Sequence, residues 1–247
     1  MWWQRKQKGP FSPPQGKIEV FVRHCFFSDV SAHKKRLPGF SREKCHRNLL
    51  ATIHNANITY LLDTAKGKDH FIAQEKNVIE IQEGTEAGSF LRLLDHVESL
   101  SLPPETLLYF VEDDYLHRAG WTDILLEGSL LADYITLYDH KDKYFHPSYT
   151  SLKSQIFHTA SCHWRTTPST TQTFAVRWKT LQEDLSIHRK FSSGRQISQD
   201  HQKFIQLSKR GRRIISSIPG FSTHVEHEFV SPCYDWNHLP ECKQEFL

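Results

Sequence analysis

Residues 107–117 read Leu-Leu-Tyr-Phe-Val-Glu-Asp-Asp-Tyr-Leu-His, an apolar run that stops at three consecutive carboxylates. The run is long enough for a buried strand, and side chains alternate along a strand. Glu112 and Asp114 are therefore expected on one face and Asp113 on the other. Carboxylates at the end of a buried strand suit a hard divalent cation, which can in turn hold a phosphate group. A solvated turn is the alternative, but it leaves three repelling charges without a compensating cation.

The composition of the 247-residue chain is that of one ordinary globular domain. A net charge of +3 gives no case for nucleic-acid binding. No apolar run approaches the roughly 20 residues that span a bilayer. The five cysteines form no C-x-x-C pair, which favours free thiols in a reducing, cytoplasmic setting. Nothing in the composition indicates an oligomeric state.

Residues 1–16 are basic and contain prolines, which predicts an N-terminal tail or loosely docked arm ahead of one domain at 17–247. Disorder is the simpler interpretation of this tail. Trp2 and Trp3 lie near basic residues, so a weak contact with a membrane surface is the alternative.

Strand and helix patterns alternate along the first half of the chain. Strands are predicted at 17–27, 57–63, 77–82, 106–111 and 134–138, and helices at 42–55, 85–100 and 121–131. The second half predicts strands at 154–164 and 170–177, helices at 178–191 and 199–209, and residues 214–215 that lead into a loop at 219–224. This alternation predicts an α/β domain with a largely parallel sheet.

Polar residues follow the first four predicted strands. They are Arg23 and His24, Asp63, residues 82–84, and residues 112–114. Open α/β sheets bind ligands beyond the carboxyl ends of their strands, so these residues are expected to converge on one crevice. Asp63 suits a base amide or a ribose hydroxyl, and Arg23 suits a phosphate. The simpler alternatives are a turn residue at Asp63 and a surface ion pair at Arg23.

The predicted helix after the third strand begins with small and polar residues. Gly84 and Gly88 would let the backbone approach a ligand closely, and Ser89 could donate a hydrogen bond to it. Glu86 could sit at the helix N-terminus.

Two residues later in the chain are further candidates. His224 could ligate a metal, because imidazole together with carboxylate suits Mn²⁺, and a hydrogen-bonded loop histidine is the alternative. Asp200 at a helix start is either a capping residue or a general base for an attacking hydroxyl, and the residues alone favour the cap. The basic runs at 34–36 and 211–213 are most simply solvated faces.

The order of these features resembles that of a GT-A type glycosyltransferase, and more narrowly that of small glycosyltransferases from bacteria and large chlorella viruses. The segments that carry the likeness are GTEAGSF (84–90), YFVEDDYLHRAGW (109–121), DYITLYDHKDKY (133–144), HWRTTPSTTQTFAVR (163–177) and PGFSTHVEHEFVSPCYDW (219–236). The resemblance implies one domain with a Rossmann-like, nucleotide-binding mixed sheet flanked by helices.

The resemblance also implies a metal-dependent, inverting hexosyl- or pentosyltransferase. Its donor would be a nucleotide sugar of the UDP type, its cofactor Mn²⁺ or Mg²⁺, and its acceptor a glycan hydroxyl. Asp114 would bind the metal, and Asp113 the ribose or the waters of the metal. Glu112 stands where the family carries an aspartate, which weakens the case that Glu112 ligates the metal directly.

The remaining implied roles lie in the second half of the chain. His224 would match the late metal-binding histidine of the fold, and Asp200 the catalytic carboxylate of inverting members. Residues 166–173, with His163 and Trp164, would face the acceptor or the donor sugar.

Two other functions stay open at this point. A nucleotidyltransferase shares strand-end carboxylates and a metal, although no glycine-rich loop follows the first strand here. A catalytically inert nucleotide-binding module would keep the fold alone.

Overall fold

The computed structural model describes residues 11–237 and residue 239. In this part of the chain the strands are β1 (Ile18–Cys25), β2 (Ala56–Asp63), β3 (Val78–Ile81), β4 (Leu107–Glu112), β5 (Tyr115–His117), β6 (Tyr134–Thr136), β7 (Ile156–His158), β8 (His163–Thr166), β9 (Phe174–Arg177), β10 (Ile214–Ile218) and β11 (Ser222–His224). The helices are α1 (Arg42–Thr52), α2 (Glu86–Ser99), α3 (Trp121–Ser129), α4 (Asp142–Phe145), α5 (Trp178–Lys190) and α6 (Asp200–Lys209).

The large sheet is mixed and has the strand order β3-β2-β1-β4-β9-β6-β10-β8-β7. Strands β1 to β4 form its parallel half, with β1 between β2 and β4. Strand β9 runs antiparallel to both of its neighbours, β10 is parallel to β6, and β8 and β7 continue as antiparallel strands. The mixed α/β sheet flanked by helices that the resemblance implied is therefore present.

Strand β4 sends alternate side chains into two hydrophobic layers. Leu107, Tyr109 and Val111 pack with side chains of α1 and α3 on one face of the sheet. Leu108 and Phe110 pack with side chains of α2, α5 and α6 on the other face. Because helices cover both faces, this strand is apolar along its length until Glu112, as in other parallel sheets buried on two sides.

Side-chain caps fix the starts of two helices in the first half. The Ser41 hydroxyl accepts a hydrogen bond from the Lys44 N–H at the start of α1, and the Thr85 hydroxyl accepts one from the Gly88 N–H at the start of α2. Both helices begin within a residue of the predicted position.

Two predictions for the second half of the chain are wrong. Residues 154–164 form not one strand but an antiparallel hairpin of β7 and β8, which a turn at 159–162 connects. Residues 222–224 of the predicted loop form strand β11, and strand β10 continues past Ile215 to Ile218 as an inner strand of the sheet. Its polar residues Ser216 and Ser217 are buried, which hides the strand from a hydrophobicity pattern.

A small second sheet of β5 and β11 lies beside the end of β4. Its antiparallel register pairs Ser222 with His117 and His224 with Tyr115. The Val225 N–H also donates to the carbonyl oxygen of Asp114, at 3.1 Å. This sheet, which the sequence patterns did not predict, carries the late histidine loop to the carboxyl end of β4.

Residues 11–15 contact the body of the domain. The Gln15 N–H donates to the Glu105 carbonyl oxygen, and Arg177 Nη2 donates to the Ser12 carbonyl oxygen at 2.7 Å. This part of the predicted tail is a docked arm. Trp2 and Trp3, on which the suggested membrane contact depends, lie outside the described residues.

Two further properties concern the described residues alone. Cys25, Cys45, Cys162 and Cys233 are free, as expected, and Cys242 falls outside this set. No helix within 11–237 combines the length and apolar character needed to cross a bilayer.

Candidate functional site

A cavity of about 290 Å³ lies at the carboxyl ends of β1 to β4. The predicted site residues that line it are Arg23, Asp63, Gly84, Glu86, Ser89, Glu112, Asp113, Asp114 and His224. Gly88 and Asp200 are not among the lining residues. The convergence of strand ends expected from the sequence is present in the structure.

The topology of the sheet explains where this cavity lies. From β1 the chain crosses to β2 and β3 on one side, and then returns to β4 on the other side. The connections that follow β1 and β4 therefore part in opposite directions and leave a crevice between them. We name the turn formed by residues 112–114, which closes the end of β4, the acidic turn.

Each carboxylate of the acidic turn faces a different arginine. Arg23 pairs with Glu112 at 3.5 Å, Arg42 with Asp113 at 2.8 Å, and Arg36 with Asp114 at 2.9 Å. The three arginines belong to β1, to the loop before α1 and to α1 itself. Repulsion within the acidic turn is thus compensated by the protein, and charge balance alone does not require a metal ion.

Asp114 and His224 are brought together as predicted. His224 Nε2 lies 2.9 Å from Asp114 Oδ2, because the β5/β11 register sets His224 opposite Tyr115. Burial would raise the pKa of Asp114, but His224 and Arg36 beside it hold that pKa well below its usual range. This carboxylate is therefore anionic at every physiological pH.

Glu112 has different neighbours from Asp114. Its backbone N–H donates to the Thr173 hydroxyl at 3.2 Å, and that hydroxyl lies 3.4 Å from Glu112 Oε2. Burial raises the pKa of Glu112 to about 8, against the opposing effect of Arg23. Its contacts thus tie Glu112 to β1 and to Thr173 just before β9, rather than to His224. This further weakens the prediction that Glu112 ligates a metal.

Asp113 anchors the acidic turn to the end of β1. Its Oδ2 accepts from the Cys25 N–H at 3.2 Å and pairs with Arg42. Burial raises the pKa of Asp113 to about 6, while Arg42 opposes the shift. Asp113 lines the cavity, and its predicted contact with ribose or metal-bound water stays a prediction.

Arg23 forms the floor of the crevice together with the first turn of α2. Its Nη1 donates to Glu86 Oε1 at 2.9 Å and to the Ser89 hydroxyl at 3.0 Å. The second oxygen of Glu86 accepts from the Ser198 N–H at 2.7 Å. Burial opposes ionisation of Glu86, but Arg23 and this N–H lower its pKa overall. Arg23 Nε and Nη2 remain buried without a hydrogen-bond partner.

Asp63 holds two loops at the edge of the cavity. Its carboxylate accepts from the Ala65 N–H at 3.1 Å and from the Gly84 N–H at 2.8 Å. Gly84 has φ 66°, a conformation that glycine adopts at little cost. The smallness of Gly88 serves the helix cap, since a Cβ there would lie 2.7 Å from Thr85 Oγ1.

Asp200 lies beside the crevice in an ion pair with a buried lysine. Lys203 Nζ donates to Asp200 Oδ1 at 3.1 Å and to Gln172 Oε1 at 2.6 Å, and it lies 4.7 Å from the Phe90 ring centre. Burial raises the pKa of Asp200 to about 6, and Lys203 limits the rise. Asp200 is therefore ionised at neutral pH with a basicity suited to accepting a proton.

The polar segment 167–173 passes between the acidic turn and Asp200. Thr173 contacts Glu112, the Thr171 hydroxyl lies 2.7 Å from the Tyr115 hydroxyl, and Gln172 contacts Lys203. Trp164, however, cannot face a substrate. Its ring is fully buried against Gly128 of α3, which corrects the expectation for that residue.

The geometry brings two candidate metal ligands together, Asp114 and His224. Two cis ligands, each about 2.1 Å from one octahedral ion, lie about 3.0 Å apart, which matches the Asp114–His224 pair. Among the described residues, no group of three or more His, Cys, Asp or Glu side chains is placed to hold an ion. The pair thus fits a cation whose other ligands come from substrate and water, and Mn²⁺ or Mg²⁺ stays a prediction.

Several residues of the site were not predicted from the sequence, and three of them pair with carboxylates that were predicted. Arg36 was assigned to a solvated face, yet its side chain is only 12 % exposed and contacts Asp114. Arg42 was not predicted, because its role depends on Asp113, which is distant in the chain. Lys203 was not predicted, because its role depends on burial among aromatic rings. A basic residue one helical turn after Asp200 was the only available hint.

No protein-family model and no curated protein sequence matches the chain. Solved structures with a similar chain path include the glycosyltransferase GlyE from Streptococcus pneumoniae TIGR4, at 10 % identity and a TM-score of 0.39. They also include the galactosyltransferase LgtC in complex with donor and acceptor sugar analogs, at 9 % identity and a TM-score of 0.40. A third is 4-diphosphocytidyl-2C-methyl-D-erythritol synthase from Anaerococcus prevotii DSM 20548, at 8 % identity and a TM-score of 0.42.

The matched portions differ in extent. The match with GlyE covers 81 % of this chain and 44 % of GlyE. The match with LgtC covers 76 % of this chain and 69 % of LgtC, and the match with the synthase covers 82 % of this chain and 87 % of the synthase. The chain therefore spans less than half the length of GlyE. Two of these proteins are described as glycosyltransferases and the third as a synthase. TM-scores below 0.5 establish neither family nor activity, so the function rests on the site.

Proposed function

We propose that the protein is a glycosyltransferase that moves a sugar from a nucleoside-diphosphate sugar of the UDP type to a hydroxyl of a glycan acceptor. The observation that supports this most is the crevice at the β1/β4 switch, where the acidic turn meets His224 and several cationic side chains. Transfer from such a donor requires stabilisation of the negative charge that grows on the departing diphosphate. Cationic side chains suit that task directly, and the Asp114–His224 pair suits it by holding a divalent cation.

In this proposal the nucleoside lies along the ends of β2 and β3, where Asp63 and Gly84 line the cavity. The diphosphate lies toward Arg23, Lys34 and Arg42 on the cationic side. Two guanidinium nitrogens of Arg23, Nε and Nη2, lack a hydrogen bond, and Nη2 faces Glu112 at 3.5 Å. Such donors are of the kind that phosphate oxygens satisfy.

A Mn²⁺ or Mg²⁺ ion belongs to the proposal as a ligand of Asp114 and His224. Such an ion supplies Lewis-acid stabilisation of the leaving diphosphate when it is bound. Asp114 contributes a carboxylate that stays ionised, and the Val225 N–H bond to its carbonyl oxygen holds the two ligands in register.

Asp200 is the proposed general base. It would take the proton from the acceptor hydroxyl as that oxygen attacks the anomeric carbon from the face opposite the leaving group, which inverts the configuration. The ion pair with Lys203 fixes the carboxylate and keeps it ionised near neutral pH. The polar segment 167–173, between Asp200 and the acidic turn, is the proposed contact surface for the acceptor or donor sugar.

Calorimetric titration with UDP in the presence of Mn²⁺ tests the donor site. Asp114→Asn should weaken UDP binding by about tenfold or more, since a neutral amide is a poorer ligand than a carboxylate, a loss of about 1.4 kcal/mol. Asp29→Asn is the matched control, because Asp29 also lines the cavity but is exposed and forms its ion pair with Lys66, away from His224. Equal affinities for the wild type and Asp114→Asn would remove Asp114 from the donor site.

A further inference from the structure

Arg36 is held against the Asp114–His224 pair by the backbone on both sides of it. The Leu37 N–H donates to the Val225 carbonyl oxygen, and the His227 N–H donates to the Lys35 carbonyl oxygen, each at 3.0 Å. These bonds form an isolated antiparallel bridge between Arg36 and Glu226, just after β11. The guanidinium also lies 5.1 Å from the Phe40 ring centre, so both main chain and side chain of Arg36 are fixed.

The guanidinium shares the oxygen that a metal ion would use. Arg36 Nη1 lies 2.9 Å from Asp114 Oδ2 and 3.4 Å from His224 Nε2. A cation about 2.1 Å from both of these atoms, wherever it lies around the line joining them, is within about 4.3 Å of Arg36 Nη1. Two cations so close together in a half-buried site repel each other strongly.

We infer that the guanidinium of Arg36 and the divalent cation compete for Asp114. This inference rests on the proposed function, because it concerns the metal site of the proposed donor crevice. In the free protein Arg36 is the counter-ion of Asp114, and a metal ion alone binds weakly. A nucleoside diphosphate adds negative charge that compensates the extra cation, so the metal enters together with the nucleotide rather than before it.

Titration with Mn²⁺ alone, followed by the electron paramagnetic resonance signal of free Mn²⁺, measures this competition directly. Arg36→Met keeps an unbranched apolar stem but removes the guanidinium and its charge, and should bind Mn²⁺ at least about tenfold more tightly than the wild type. Arg36→Lys keeps the charge and is the matched control, with an affinity close to that of the wild type. Addition of UDP should tighten Mn²⁺ binding more in the wild type than in Arg36→Met.

Three results would overturn the inference. The first is equal Mn²⁺ affinity in the wild type and Arg36→Met. The second is a Mn²⁺ affinity of Arg36→Met that stays above that of the wild type when Asp114→Asn is added, because the Mn²⁺ would then bind at another site. The third is UDP binding without any Mn²⁺ binding, which leaves no cation to compete. A protein that binds no nucleotide with or without Mn²⁺ would instead contradict the proposed function itself.

Discussion

Asp200 and Lys203 form an ion pair in which the charge of Lys203 controls the pKa of the proposed general base. Lys203 is fully buried, and its ammonium is enclosed by Phe90, Phe174 and Phe204. Burial raises the pKa of Asp200 to about 6, and the positive charge of Lys203 keeps it from rising further. A general base in this environment is ionised above about pH 6 and protonated below it, so the proposed transfer should slow as the pH falls through that value.

Lys203→Met should therefore shift the acidic limb of kcat/KM to higher pH. Removal of the ammonium raises the pKa of Asp200, so a smaller fraction of the base is ionised at each pH. The measurement is kcat/KM for sugar transfer between pH 5 and pH 9, with Lys203→Arg as the charge-conserving control. If the limb of Lys203→Met coincides with that of the wild type, Lys203 does not act through Asp200.

At the scale of single residues, the sequence identified most of the carboxylates that line the cavity. Asp114 and His224 lie together as expected, and their role as metal ligands stays a prediction. The arginines that neutralise the acidic turn were not identified. Arg36 and Asp114 are 78 residues apart in the chain, and no local spacing indicates such a pair.

At the scale of elements, helix α2 links the sheet to the crevice through its first turn. Thr85 caps the helix, Glu86 follows it, and Glu86 in turn holds Arg23. The cap therefore helps to position Arg23, which lines the cavity. Disorder in the first turn of α2 should for this reason weaken binding of the proposed donor.

Thr85→Ala should lower the free energy of unfolding by about 1 kcal/mol, because it removes the side-chain acceptor of the Gly88 N–H. Urea denaturation followed by circular dichroism measures the change, and Thr85→Ser, which keeps the hydroxyl, should retain most of the stability. UDP affinity should fall in Thr85→Ala and not in Thr85→Ser. A Thr85→Ala protein as stable as the wild type would show that the cap contributes nothing.

The elements themselves were predictable where one face or both faces are apolar. Strands β1 to β4 and helices α1, α2 and α5 follow their hydrophobic patterns, and the sequence located them within a few residues. Strands β5, β10 and β11 were missed because they are short or contain buried serine and threonine residues. Their pairing depends on partners elsewhere in the chain, and a local pattern contains no information about such partners.

At the scale of the whole molecule, Arg177 joins four separate parts of the chain. Its Nη2 donates to the carbonyl oxygens of Ser12 and Ser129, at 2.7 and 2.6 Å, and its Nε lies 3.1 Å from Glu105 Oε2. Arg177 is 1 % exposed at the end of β9. It thus ties the N-terminal arm, the end of α3 and the approach to β4 to the centre of the sheet.

Arg177→Met should destabilise the protein by about 3 kcal/mol, because it leaves Glu105 and two carbonyl oxygens without their buried donor. Lys179→Met is the control, since Lys179 contacts the same Glu105 from an exposed position and its removal should cost less than about 1 kcal/mol. Urea denaturation of both variants measures the difference. Similar losses in the two variants would contradict the anchoring role of Arg177.

The central claim is that the crevice releases a nucleoside diphosphate when its sugar leaves. The most direct measurement is chromatographic identification of the products formed from UDP-sugars with Mn²⁺ and a glycan acceptor, for the wild type and Asp200→Asn. We expect UDP release by the wild type, and a rate lower by about 10²- to 10⁴-fold in Asp200→Asn with unchanged UDP binding. Inorganic diphosphate among the products, or undiminished transfer by Asp200→Asn, would contradict the proposed reaction.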